Sequence, residues 1–253
     1  MDFTSELKKL LALEYSCSES DIGGTENILT VSNGNNGRDY SPDSAFFSMA
    51  TTGTNCMITA DERLMPCLRE FTKRGGQGHW LFETGKLMEL ERELNRFGYG
   101  LNAAGPHHMF LPRYDVRISQ KFPVKRLDGA ESFKQFYGDP RFPNALCEKY
   151  LPERPDVIVL LAMDGDNIMG MAGASRDFSG TPSWLQIGID VLPEYRGKGV
   201  GAFLVNELKS VILKGGDIPF YGTASANIHS QNIAVNCGFR PAWVEIAAEL
   251  CKQ

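Results

Sequence analysis

The chain has no apolar stretch long enough to cross a bilayer: the longest, Val157 to Met163, falls well short of the roughly 20 residues that a spanning helix needs. Its first residues, Met1-Asp2-Phe3-Thr4-Ser5-Glu6, lack the basic start and long uncharged segment of a secretory signal. Neither export nor a membrane partner is expected. No run of Lys or Arg forms a stripe suited to a phosphate backbone, and 26 basic residues are set against 31 acidic ones for a formal net charge of -5. Nucleic acid is therefore not expected as a partner. A mildly acidic balance suits cationic small molecules such as amines, although it is equally common in proteins that bind none. The six cysteines (Cys17, Cys56, Cys67, Cys147, Cys237 and Cys251) include no C-x-x-C pair. A chain of 253 residues with 42% apolar content can build a core without disulfides, so reduced thiols in the cytoplasm are expected. His79 and the pair His107-His108 have no second cluster at ligand spacing, and no metal is expected.

What is present reads as two consecutive α/β units, residues 1–120 and 121–253, with no proline-rich or serine-rich linker at the join. In the first, Leu7, Leu10 and Leu11 lie at helical spacing within Leu7 to Tyr15, and Ser32 to Asp39 is a cluster of loop-forming residues. A strand (Cys56 to Thr59), a helix (Asp61 to Lys73), a strand (His79 to Phe82) and a helix (Lys86 to Phe97) follow. Asp61 is positioned as an N-cap, and Gly75-Gly76 and Gly98 as stops.

The second unit begins with a strand over Phe122 to Leu127, then helical material around Ala130 to Tyr137 and Asn144 to Tyr150. Strands Val157 to Met163 and Ile168 to Ala174 flank a tight turn at Asp164-Gly165-Asp166-Asn167. A further strand, Trp184 to Val191, ends before Pro193, which cannot donate to a ladder. Phe203, Leu204, Leu208, Val211 and Ile212 mark one face of a helix from Val200 that Gly215-Gly216 terminates. A strand (Phe220 to Ser225), a short helix (Ser230 to Asn236) and an alternating segment (Ala242 to Leu250) complete the chain.

The chemistry concentrates in the turn Arg196-Gly197-Lys198-Gly199-Val200-Gly201, between a strand and a long helix. The first N–H groups of a helix have no intrahelical acceptor, its dipole places about half a positive charge there, and glycines let an anion approach the main chain. Arg196 adds a planar fork of donors and Lys198 a mobile point charge. A dinucleotide G-x-G-x-x-G fails in either register, because Ala202 or Leu204 stands where the last glycine belongs, and no G-K-[ST] occurs.

These residues resemble the pyrophosphate motif [RQ]-x-x-G-x-[GA] of the GNAT superfamily of acyltransferases, met by Arg196, Gly199 and Gly201 after Ile189-Asp190-Val191-Leu192-Pro193-Glu194-Tyr195. The segment Asn227 to Phe239, ending in Gly238-Phe239, resembles the family's pantetheine-flanking helix. The resemblance covers Phe122 to Gln253. It implies an α+β fold, a mixed and mostly antiparallel twisted sheet flanked by helices, behind an N-terminal α/β domain. It also implies acetyl-CoA as co-substrate, held by Val191, Arg196, Gly197, Lys198, Gly199, Val200, Gly201 and Asn232. The Val191 main chain would pair with pantetheine, its N–H meeting the thioester oxyanion.

The reaction so implied is direct transfer of an acetyl group to a primary amine of a small molecule or peptide. An amine with a solution pKa near ~10.4 must first lose a proton, and Asp190 is the candidate base, the alternative being a strand carboxylate that faces solvent or caps a turn. The family's tyrosine acid, four residues before Gly-Phe, is here Ala234. That leaves Tyr221, Ser230 or water to protonate the thiolate, with Tyr221 read alternatively as a core aromatic. A second reading is a non-catalytic acyl-CoA-binding sensor, and a third a nucleotide-binding protein. The N-terminal half is either a degenerate copy of the same fold, since Gly98-Tyr99 loosely echoes Gly238-Phe239, or an unrelated lid.

Overall fold

The computed structural model describes residues 2–34, 40–76, 78–119, 121–178 and 182–251; the loop expected at Ser32 to Asp39 lies mostly outside them. The chain folds as two compact units, Met1–Met109 with Ala224–Ala226 and Pro241–Gln253, and Phe110–Thr223 with Asn227–Arg240. The division falls about ten residues before the expected join at 120. The segment from Pro241, expected in the second unit, groups with the first, because residues 244–250 pair with strands of its sheet.

In the first unit, helix α1 (Phe3–Glu14) starts on Asp2, whose carboxylate accepts from the N–H groups of Thr4 at 3.0 Å and Ser5 at 3.3 Å, a side-chain cap. Strands β1 (Ile28–Val31), β3 (Cys56–Ala60) and β2 (Phe47–Thr51) are neighbours, β1 parallel and β2 antiparallel to β3. Within the same unit, residues of β11 (Phe239–Leu250) pair antiparallel with β2 and with β4 (Tyr99–Leu101). Helices α2 (Met65–Gly75) and α3 (Thr84–Asn95) bury Leu68, Phe71, Leu90 and Leu94 in the core with Met49, Ile58 and Ile246. Asp61 caps the turn before α2 by accepting from Arg63 N–H at 3.0 Å. The strand expected over His79 to Phe82 is instead a 3-10 helix, Gly78–Phe82. Gly78 packs directly on the main chain of Asn55 and Cys56, where a Cβ would collide. Leu81 alone is buried among the apolar residues that follow, with Trp80 exposed. Strands β1, β2 and β4 were not anticipated, being short or lacking regular alternation.

The second unit is built on an ordered sheet β10-β9-β8-β7-β6: Ile218–Ala224, Trp184–Val191, Asn167–Phe178, Asp156–Asp164 and Val124–Asp128. All neighbours are antiparallel except β9 and β10. Strand β5 (His107–Pro112) precedes them in the chain. The architecture is therefore the mixed, mostly antiparallel α+β arrangement that the resemblance implied. Gly165, at φ 59°, makes the β7–β8 hairpin turn that Asp-Gly favours.

Because strand side chains alternate between faces, the sheet has two separate cores. Leu160, Ala172, Ala174, Leu185 and Ile187 meet helices α5 (Val200–Lys214) and α6 (Ile228–Asn236) through Val200, Leu204, Leu208 and Ala234. On the opposite face Val159, Leu161 and Met171 meet α4 (Ala130–Phe133) and the following loop through Phe133, Phe142, Ala145 and Leu146. The helix expected at Asn144 to Tyr150 does not form. That segment is a loop whose main chain lies against the cross-strand pair Gly173 and Gly188, where a Cβ on either would collide with the carbonyls of Ala145 and Asn144.

Candidate functional site

A cavity of about 670 Å³ opens within the second unit between the end of β9, the glycine-rich turn with the first turn of α5, and the start of α6. Its wall comprises Ile189 to Val191, Tyr195 to Gly197, Gly199 to Ala202, and Asn227, His229, Ser230 and Ile233.

The opening exists because β9 and β10 part. Their parallel pairing runs from Trp184 to Gln186 on β9, so the strand's last residues have no β10 partner in that register. Leu192 N–H turns toward β8, donating to Met169 O at 3.0 Å. Main-chain groups alternate in direction along a strand, so those of Val191 face the unpaired edge. An extended ligand can add there as a further strand. Arg196 reinforces this end by donating from Nε to Val191 O at 3.0 Å.

The turn adopts the conformation its glycines permit: Gly197 has φ 74° and Gly199, the N-cap of α5, has φ 84°, a region that L side chains avoid. The first intrahelical acceptor is Gly199 O, which takes Phe203 N–H at 3.0 Å. The N–H groups at the helix start have no intrahelical acceptor. Gly201 serves packing: a Cβ there would lie 3.2 Å from Ile233 Cδ1 and 3.4 Å from Val191 Cγ2. Lys198 is exposed and outside the cavity wall, its ammonium 5.2 Å from the Tyr195 ring centre. Tyr195 in turn donates to Asp164 Oδ2 at 3.3 Å.

Asp190 borders the cavity but spends its carboxylate elsewhere. Ile189 and Val191 pack toward the α5 face, so alternation sends the Asp190 side chain to the other face. There Oδ2 accepts from the N–H groups of Asn144 at 2.7 Å and Ala145 at 2.8 Å, and Oδ1 from Asn144 Nδ2 at 2.6 Å. It fastens the loop over Gly173 and Gly188, which corresponds to the turn-capping alternative. Asn232, expected beside the cofactor, is exposed and absent from the cavity wall. Asn227 stands on the wall instead and caps α6 by accepting from Ser230 N–H at 3.1 Å. Sequence reasoning passed over Asn227, His229 and Ile233. The signal was helical phase, since 229, 230 and 233 share one face.

Two candidate acids come together. Tyr221 on β10 and Ser230 on α6 share a hydrogen bond of 2.6 Å between their hydroxyl oxygens. Tyr221 is buried, and burial pushes its phenol up to about 12. Ala234 is fully buried in the core beneath α6.

Residues 127–239 match the family model of the Acetyltransferase (GNAT) family. Among solved structures, a GNAT-family protein from Novosphingobium aromaticivorans DSM 12444 is 14% identical, with a TM-score of 0.47, over 60% of this chain and 66% of its own. A GCN5-related N-acetyltransferase-like protein from Streptococcus suis 89/1591 is 16% identical, with a TM-score of 0.46, over 66% of this chain and 68% of its own. The aminoglycoside N-acetyltransferase AAC(6')-Iy, in complex with CoA, is 16% identical, with a TM-score of 0.36, over 50% of this chain and 93% of its own. The chain thus spans about two thirds of the length of the first two. A search of curated protein sequences finds no match. Residues 127–239 are thus a domain of the GNAT family of acetyltransferases.

Proposed function

We propose that the protein transfers an acetyl group from acetyl-CoA to a primary amine of a small molecule or peptide, by direct attack and without an acyl-enzyme. The observation that carries this reading is the cavity joining the glycine-rich turn to the unpaired edge of β9. In a family of acetyltransferases, one end suits a pyrophosphate and the other an extended pantetheine. The diphosphate receives the N–H groups at the start of α5 with its dipole, and Arg196 adds charge. Pantetheine lies along Val191, whose N–H then meets the carbonyl oxygen as it gains charge in the tetrahedral intermediate.

The attacking amine must arrive neutral. Asp190 is occupied by the Asn144–Ala145 loop, and His229 carries the other proton-accepting side chain on the cavity wall. One observation favours a second reading, an acyl-CoA-binding sensor without catalysis: Ala234 occupies the place of the family's tyrosine acid.

The test is a thiol-release screen with acetyl-CoA across small-molecule and peptide amines, run beside calorimetric titration of acetyl-CoA into wild type and Arg196→Glu. Amine-dependent release of free CoA, with binding weakened by the substitution, supports transfer. Saturable binding with no release above hydrolysis from any amine supports the sensor, and no saturable binding removes both.

A further inference from the structure

We propose that Ser230 is the hydrogen-bond donor to the departing thiolate of the acyl donor, and that Tyr221 is the positioning residue that turns the serine proton into the cavity. This rests on the acetyl-transfer reading and supplies the group that Ala234 withholds.

Accounting for two protons fixes the direction of the bond. Tyr221 is 2% exposed, and among the described residues its hydroxyl bonds to Ser230 Oγ, at 2.6 Å. If Ser230 donated to Tyr221, the single phenolic proton would be left buried without an acceptor, at a cost of about 1–3 kcal/mol. If Tyr221 donates to Ser230, nothing buried is left unsatisfied, and the serine keeps a proton to give. Ser230 stands on the cavity wall, so the open side for that proton is the cavity. Burial, which holds the phenol at about 12, keeps Tyr221 in the donating form at any physiological pH. Ser230 also lies one helical turn from Ile233 on the same face, and Ile233 sits against Gly201. The donor therefore belongs to the wall facing the unpaired edge of β9.

The step balances without a cofactor. The amine lone pair forms the C–N bond, the C–S bond breaks, and its electron pair remains on sulfur. A CoA-type thiol, with a pKa near ~8.5, is a far stronger acid than an alcohol. Ser230 therefore keeps its proton and stabilises the thiolate through an O–H···S bond. Solvent later protonates the sulfur and takes the proton lost by the amine.

The experiment compares single-turnover rates of wild type, Ser230→Ala, Ser230→Thr and Tyr221→Phe with acetyl-CoA and with its selenium analogue, whose selenolate leaves without assistance. With acetyl-CoA, Ser230→Ala is expected to lose about 10- to 100-fold, in the range of other preorganised donors. Ser230→Thr should recover most of that loss, and Tyr221→Phe should lose less than Ser230→Ala. With the selenium analogue the Ser230→Ala defect is expected to fall below about threefold, a change that a merely structural role would not produce. Calorimetric affinity for acetyl-CoA should stay within about threefold in every variant, since donation is made only as charge develops. An equal defect with both donors, or none with acetyl-CoA, overturns the proposal while leaving acetyl transfer standing. A wild type that binds acetyl-CoA and acetylates no amine overturns both.

Discussion

The ammonium of Lys209 on α5 donates a 2.6 Å hydrogen bond to the carbonyl of Cys237, the residue that closes α6. Lys209 is 2% exposed, and its charge lies 5.8 Å from the centre of the Phe239 ring. A cation at a helix C-terminus meets the negative end of the dipole. The bond ties together the two helices whose starts form opposite sides of the cavity.

Lys209→Met should reveal this tie through pH. Burial holds the Lys209 pKa below its ordinary value. Between that lowered value and the unfolded value near ~10.4, the unfolded chain binds more protons than the folded one. Stability contributed by this residue therefore rises with pH across that window and is smallest below it. The expected result in urea unfolding is a wild-type advantage over Lys209→Met that grows as the pH rises toward the unfolded value. An advantage that is flat or shrinks with pH contradicts the assignment. Cys237 works in the opposite direction, since burial raises its thiol to about 12, so the comparison must keep that residue unchanged.

How much of this was legible in the sequence depends on whether a local pattern decides the matter. Strand β9 could be read to the residue, Trp184 to Val191, because apolar alternation runs up to a proline boundary. The turn from Arg196 to Gly201 was equally readable, since positive φ at Gly197 and Gly199 is written in glycine. Asp190 was read as a base because it adjoins Val191, but adjacency along a strand means opposite faces. Asn232 is exposed and lies outside the cavity wall, where Asn227, His229, Ser230 and Ile233 represent this part of the chain. The loop at Asn144 to Tyr150 was hidden by nonlocal causes. Its anchors are a carboxylate 46 positions away and two glycines on neighbouring strands, none of which its own composition declares.

Gly188→Ala tests those anchors. Its Cβ would collide with the Asn144 carbonyl, a main-chain atom with no freedom to rotate aside, so the loop must lift. Lifting breaks the Asp190 hydrogen bonds and exposes Ala145 and Leu146, now 2% and 5% exposed. A loss of about 3 kcal/mol or more is expected, measured by urea unfolding. A variant within about 0.5 kcal/mol of wild type would contradict this packing.

Asp190→Asn separates anchor from base. The amide keeps one oxygen for the Asn144 and Ala145 N–H groups, and Asn144 can flip its own amide to meet the new NH2. The loss is then the charge assistance, about 1–2 kcal/mol of stability. If Asp190 served as general base, transfer would fall by about 100-fold or more and the acidic limb of the pH–rate profile would disappear. The geometry predicts the first result: measurable destabilisation with the rate constant reduced less than about fivefold and the profile intact.

Gly201→Ala sets helix propensity against the width of the cavity. Alanine favours a helix interior over glycine by about 1 kcal/mol. The new methyl would stand 3.2 Å from Ile233 Cδ1, the far end of a flexible side chain, and 3.4 Å from Val191 Cγ2. Ile233 can yield by a few tenths of an ångström, so stability should change by no more than about 1 kcal/mol. It can yield only toward the cavity it shares with Ser230 or along α6, and either movement disturbs the wall opposite β9. Acetyl-CoA affinity, read by calorimetry on a variant whose unfolding midpoint is unchanged, is therefore expected to weaken about 5- to 20-fold, or ~1–1.8 kcal/mol. Unaltered affinity would place the acyl donor away from the contact of Gly201, Val191 and Ile233, and with it the pantetheine path along β9.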